Sequence, residues 1–133
     1  MKANDICIGD WLNIYTFPND NPKQDDLFPA KVSAVSVFDP FKEPDDVNVE
    51  LVIPNTNGIA SRPLDTCLPI ELTEEILVKN GFKGNPLDGY YYWQDADRIE
   101  LDGNFGYHGI VINYVHQLQH LLRLCGVEKE LTI

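Results

Sequence analysis

Two histidines four residues apart, His116 and His120, have the spacing that most resembles metal chemistry. On a helix they project from one face, and imidazole nitrogens so placed bind zinc. A zinc centre needs three protein ligands for catalysis or four for structure. Gln117, Leu118 and Gln119 stand between them, so the H-E-x-x-H of metalloproteases is absent, and His108 or Cys125 would have to complete the set. A polar helix face with its histidines hydrogen-bonded to a sheet needs no ion, so neither metal nor cofactor is expected. Asp95, Asp97, Glu100 and Asp102 fail the calcium-loop pattern, which requires glycine where Glu100 stands. Cys7, Cys67 and Cys125 each sit among apolar neighbours and read as inert buried thiols. The chain has no G-x-S-x-G elbow and no G-x-G-x-x-G or P-loop glycine pattern, and no residue is assigned a catalytic role. The aromatic run Tyr90 to Trp93, with Phe105, carries the binding candidates Tyr90, Tyr92, Trp93 and Phe105, since exposed rings anchor peptides or stack bases. Arg98 is the only basic residue close to them, which argues against base stacking. Alternate positions on a strand face opposite sides, so core packing takes about half of these rings.

The balance of charge narrows the partners. The chain has 133 residues and a formal net charge of −11. That charge repels phosphate backbones and disfavours nucleic acid, while favouring a solvated surface, a basic protein partner or mimicry of nucleic acid. An odd number of cysteines without C-x-x-C argues for reduced thiols rather than a disulfide framework. No apolar run suits a signal peptide or a membrane span, so the expected location is the cytoplasm.

The first half must position its residues on strands. Gly9-Asp10 is a turn, and a strand follows to Phe17 with apolar groups on both faces. Residues 18–29 and 39–46 read as acidic, proline-bearing loops. Between them Ala30–Phe38 is a second strand, whose phase change between Ala34 and Val35 predicts a bulge or a strand buried on both faces. Val47, Val49, Leu51 and Ile53 share one face of a third strand. Asn55-Thr56-Asn57-Gly58 is a turn, its Asn57-Gly58 the dipeptide preferred in tight hairpins, and Ile59–Arg62 is a short return strand. This order of strands is that of an SH3-like small β-barrel, expected over residues 1–71.

Residues 72–133 read as a helix, a three-stranded antiparallel meander and a C-terminal helix. Thr73 caps the first helix, Leu72 and Leu77 staple it, and Gly81-Phe82 closes it. The meander strands are Tyr90–Trp93, Arg98–Asp102 and Tyr107–Tyr114. The last helix, from Val115, places Leu118, Leu121, Leu122 and Cys125 on an apolar face and ends at Gly126, with Asn113 or Tyr114 at its start. Glu128–Ile133 is available as an edge strand. The fold class is α+β, and the two modules are compatible with one shared core.

Three blocks carry a resemblance: Asn4-Asp5 with Ile8-Gly9-Asp10-Trp11, Leu72-Thr73-Glu74-Glu75-Ile76-Leu77 with Gly81-Phe82, and Val115-His116-Gln117-Leu118-Gln119-His120-Leu121. In these the chain resembles a family of small uncharacterised Bacteroidales proteins, often found near prophages and other mobile elements. The acidic loops depart from that pattern. The resemblance implies a genomic context and no site residues. The expected function is a non-enzymatic, acidic protein-interaction module. The competing readings are an acidic nucleic-acid mimic that inhibits a basic enzyme, and a small metal-dependent enzyme using His116 and His120.

Overall fold

The computed structural model describes residues 5–15, 27–37, 47–94 and 97–133, with side chains omitted at 36, 37 and 97. The fold is α+β and divides into two compact units, Met1–Ile70 and Glu71–Ile133. The expected loops at 18–29 and 39–46 lie outside the described residues, except for Leu27–Pro29.

The first unit is a five-stranded antiparallel sheet. Its strands are β1 (Trp11–Tyr15), β2 (Leu27–Val37), β3 (Val47–Val52), β4 (Ile59–Pro63) and β5 (Leu68–Pro69), in the order β4-β3-β2-β1-β5. A 3-10 turn over Leu64–Thr66 leads into β5, which pairs back onto β1 through Leu12 opposite Pro69. Period-two alternation explains the core: Leu12 and Ile14, Val47, Val49 and Leu51 are buried with Ala30, Val32, Ala60, Leu64 and Cys67. Among the described residues no sheet closes on itself.

Two local expectations need correction here. The bulge in β2 falls between Val32 and Ala34, where Ser33 is left over and its hydroxyl donates to the Glu50 carbonyl at 3.1 Å. Asn57-Gly58 does not make a two-residue turn. The loop runs from Ile53 to Gly58, Asn55 carries the positive φ of 61°, and the Thr56 hydroxyl ties the loop to the Ile53 carbonyl. A side chain that hydrogen-bonds the local backbone has here outcompeted the tight turn.

The second unit holds α1 (Glu74–Lys79), β6 (Lys83–Asn85), β7 (Gly89–Gln94), β8 (Asp97–Leu101), β9 (Gly106–Tyr107), β10 (Ile110–Val111) and α2 (Val115–Leu124). Both helices end as their sequences predict. The Thr73 hydroxyl accepts the Ile76 N–H at 3.3 Å, and Leu72 and Leu77 are buried. Gly81 (φ 89°) and Gly126 (φ 73°) each adopt the left-handed conformation of a Schellman closure. Phe82 N–H then reaches the Leu77 carbonyl at 3.0 Å, and Val127 N–H reaches Leu122 at 2.8 Å. At the start of α2 the cap is Tyr114, and the Gln117 side chain accepts both the Asn113 and Tyr114 N–H groups.

The meander differs from the one expected. The three-stranded sheet is β6-β7-β8, and Tyr107–Tyr114 is not a strand. His108 (φ 48°) and Gly109 (φ 85°) fold it into the small β9–β10 hairpin, because two successive positive φ values make a tight reversal. Nor do residues 128–133 form a strand. Leu131 is buried instead, and the buried Asn80 side chain grips Thr132 through both its N–H and its carbonyl, at 2.7 and 2.8 Å.

Candidate functional site

The β7–β8 hairpin sorts its aromatic residues by parity. Tyr90 lies opposite Leu101 and Tyr92 opposite Ile99, and all four are buried. The Tyr92 ring packs 5.5 Å from Phe82, and Tyr90 packs 5.4 Å from the half-buried Phe105. Such pairs contribute roughly 0.5–1.5 kcal/mol beyond burial alone. Of the four residues expected to meet a partner, Tyr90 and Tyr92 are buried and Phe105 is half-buried against Tyr90. Trp93 is 58% exposed. Its neighbour on the open face is Tyr91, which is not among the four expected residues, with ring centres 5.2 Å apart.

Across the strand pair, Trp93 faces Arg98 and Tyr91 faces Glu100. The Arg98 guanidinium lies 4.5 Å from the Trp93 ring centre and donates to Glu100 at 2.9 Å. Stacking on one side and an ion pair on the other hold this cation in a fixed place. The open face is thus a ladder of two rings, one cation and one anion. The signal that would have found Tyr91 was present in β8. Ile99 and Leu101 alternate with Arg98 and Glu100, so the inward parity of β8 dictates the inward parity of β7 once the two are paired.

Beside this ladder is a cleft of about 580 Å³ within the second unit. Its walls come from the Asp88 turn, β7 and β8, and Gly106–His108. The Asn85 side chain builds the turn by accepting the N–H groups of Leu87 and Asp88, at 2.9 and 2.8 Å. Tyr107 is fixed at the far wall: its hydroxyl lies 3.5 Å from the Cys125 sulfur, and its ring meets His108 edge-on at 4.4 Å. The hydrogen bond with Cys125, that thiol's charge and partial burial push the Tyr107 phenol above its ordinary pKa. Burial, followed by the charge and hydrogen bond of Glu74, does the same for Tyr90. Both phenols therefore stay neutral through the physiological range.

The histidine pair on α2 packs ring against ring. His116 is buried, its ring stacks at 5.9 Å on Tyr114, and it meets His120 nearly perpendicular at 5.7 Å. Within the second unit, among the described residues, no third His, Cys, Asp or Glu ligand atom joins them. His108 lines the cleft and Cys125 contacts Tyr107, so neither completes the set. The expected acidic cluster is only partly in view: Asp95 lies outside the described residues, as does the Asp97 side chain, while Glu100 and Asp102 line the cleft.

The cysteines correct another expectation. Cys67 is buried, and burial pushes its thiol up to about 11 despite the nearby Arg62 charge. Cys7 and Cys125 are exposed. Cys125 lies past the last residue of α2, beyond the buried face formed by Val115, His116, Leu118, Gln119 and Leu122. No helix among the described residues is long and apolar enough to cross a membrane. Comparison of the chain with models of known protein families, with curated proteins and with solved structures returns no match.

Proposed function

We propose that this chain is a non-enzymatic, acidic protein-interaction module, cytoplasmic and of the phage or mobile-element type that its three sequence blocks suggest. The observation that carries the interaction reading is the open β7–β8 face, where Trp93, Tyr91 and Arg98 stand side by side. Trp, Tyr and Arg are the residue types that dominate binding energy at protein interfaces. In the folded chain Trp93 remains more than half exposed. Covering it removes apolar surface from water at roughly 25 cal/mol per Å².

The proposed architecture of the first unit is SH3-like. Its support is the connectivity: a four-stranded meander, a 3-10 turn, and a fifth strand returning to the first. Residues of the three blocks hold the local fold together. Asp10 is buried and its carboxylate accepts the Cys7 N–H at 2.8 Å, closing the Ile8-Gly9 turn. The second and third blocks supply the helix caps and stapling residues described above.

The test is capture from the native host by the tagged protein, comparing wild type, Tyr91→Ala/Trp93→Ala and Leu124→Ala. Leu124 is 85% exposed on α2 and serves as the control. The reading expects a stoichiometric protein kept by wild type and control and lost by the double variant. Equal capture by all three overturns it.

A further inference from the structure

We infer that the cleft beside the ladder receives a basic side chain, arginine or lysine, from the partner protein. This rests on the interaction reading above and specifies the partner's chemistry. Among the described residues the cleft presents three carboxylates, Asp88, Glu100 and Asp102, against the single guanidinium of Arg98. That guanidinium is already engaged by Glu100 at 2.9 Å and by the face of Trp93. Its charge is therefore answered at the edge of the cleft, and among the described residues Asp88 and Asp102 meet no cation of their own. Asp88 accepts a hydrogen bond from the Asn85 amide at 3.1 Å, which fixes its carboxylate without neutralising it.

The remaining walls suit a cation as well. Tyr91 and Tyr107 contribute aromatic rings, and ring faces attract ammonium and guanidinium groups. A volume of about 580 Å³ admits a long side chain together with part of its backbone. An anionic ligand would meet two carboxylates with no cationic partner among the described residues and a guanidinium already paired. An apolar ligand would strand the carboxylates without water, which is costly. The net charge of −11 adds long-range attraction for a basic segment and speeds its encounter. The ladder and the cleft adjoin on one face of the hairpin, so a peptide crossing Trp93 and Tyr91 would bring its next side chain to the cleft mouth.

The probe is N-acetyl-L-arginine amide, titrated into the isotope-labelled full chain and followed by amide chemical shifts. N-acetyl-L-citrulline amide, which has nearly the same shape and no charge, is the comparison. The expected result is a saturable response confined to residues of β7, β8 and Gly106–His108, with affinity on the order of millimolar for so small a ligand. Citrulline should give none. In Asp88→Asn/Asp102→Asn, affinity should fall about tenfold, since two charge contacts from exposed carboxylates together contribute that much. Shifts spread over the whole acidic surface, equal binding of citrulline, or unchanged affinity in the folded double variant would overturn the proposal. If the double variant does not fold, the arginine–citrulline comparison on the wild-type chain decides alone. Failure here, with partner capture still dependent on Tyr91 and Trp93, removes the basic ligand and leaves the interaction reading standing. Loss of that dependence removes the interaction reading itself.

Discussion

Asn80→Ala should release the C-terminal tail. Asn80 is 2% exposed, and its side chain makes three hydrogen bonds: Nδ2 to the Ile76 carbonyl at 2.8 Å, Nδ2 to the Thr132 carbonyl at 2.8 Å, and Oδ1 from the Thr132 N–H at 2.7 Å. Each neutral hydrogen bond contributes about 1 kcal/mol net. Thr132 is exposed, so its backbone groups recover water once freed, and the expected loss is about 2 kcal/mol rather than the full three bonds. Burial of Leu131, worth roughly 1.5–3 kcal/mol, is what still holds the tail. Hydrogen exchange at the Thr132 amide should accelerate roughly thirtyfold, and urea unfolding should report the stability loss. Asn80→Asp separates the contributions. It keeps the acceptor for Thr132 N–H but turns a carboxylate oxygen toward two carbonyls, so at neutral pH it should cost more than alanine. That excess should vanish as pH falls below the carboxylate range, where the protonated acid donates again. A stability within about 0.5 kcal/mol of wild type, with Thr132 exchange unchanged in Asn80→Ala, would refute the reasoning.

Gly84→Ala should abolish the β6–β7 pairing, because an added Cβ would lie 2.0 Å from the Gly89 carbonyl oxygen; loss of strand amide protection is the readout. Gly109→Ala meets nothing within 4 Å and should cost only the left-handed penalty of about 1–2 kcal/mol, measured by urea unfolding. Iodoacetamide at mild alkaline pH should label Cys7 and Cys125 well before Cys67, read by intact mass, because Cys67 is buried and its thiol titrates near 11. That thiol ordinarily titrates at 9.0, so the unfolded chain loses its proton first. Its contribution to stability is whole below pH 9.0, declines as pH rises and is gone above about 11, whereas Cys67→Ala should lack this part of the alkaline decline.

Features set by chemistry within one turn were legible in the sequence. The Thr73 cap, the Gly81 and Gly126 closures and the Leu72–Leu77 staple depend on neighbours a few residues away. The alternation of Val47, Val49 and Leu51 is equally local. Features set by pairing were not legible. Lys83-Gly84-Asn85 has no apolar residue and is exposed throughout, so periodicity gives no sign of β6. His108, Ile110, Ile112 and Tyr114 alternate like a strand, yet the reversal at His108-Gly109 is a backbone event that alternation does not report. On α2 the buried face passes through His116 and Gln119, a rotation away from the Leu121–Cys125 side that hydropathy favours. The candidate site shows the same limit. Four consecutive aromatic residues carry no inward or outward label, and a one-residue change of parity exchanges Tyr90 and Tyr92 for Tyr91 and Trp93.

The most direct test of the interaction reading is the exposure of Trp93 with and without the captured partner. The other tryptophan, Trp11, is half-buried on β1, so Trp11→Phe leaves a single reporter. Acrylamide quenching of that protein should be strong when it is free, as expected for a residue 58% exposed, and should fall severalfold on saturation with partner. Unchanged quenching, with the partner demonstrably bound, would place the interface elsewhere and contradict the account.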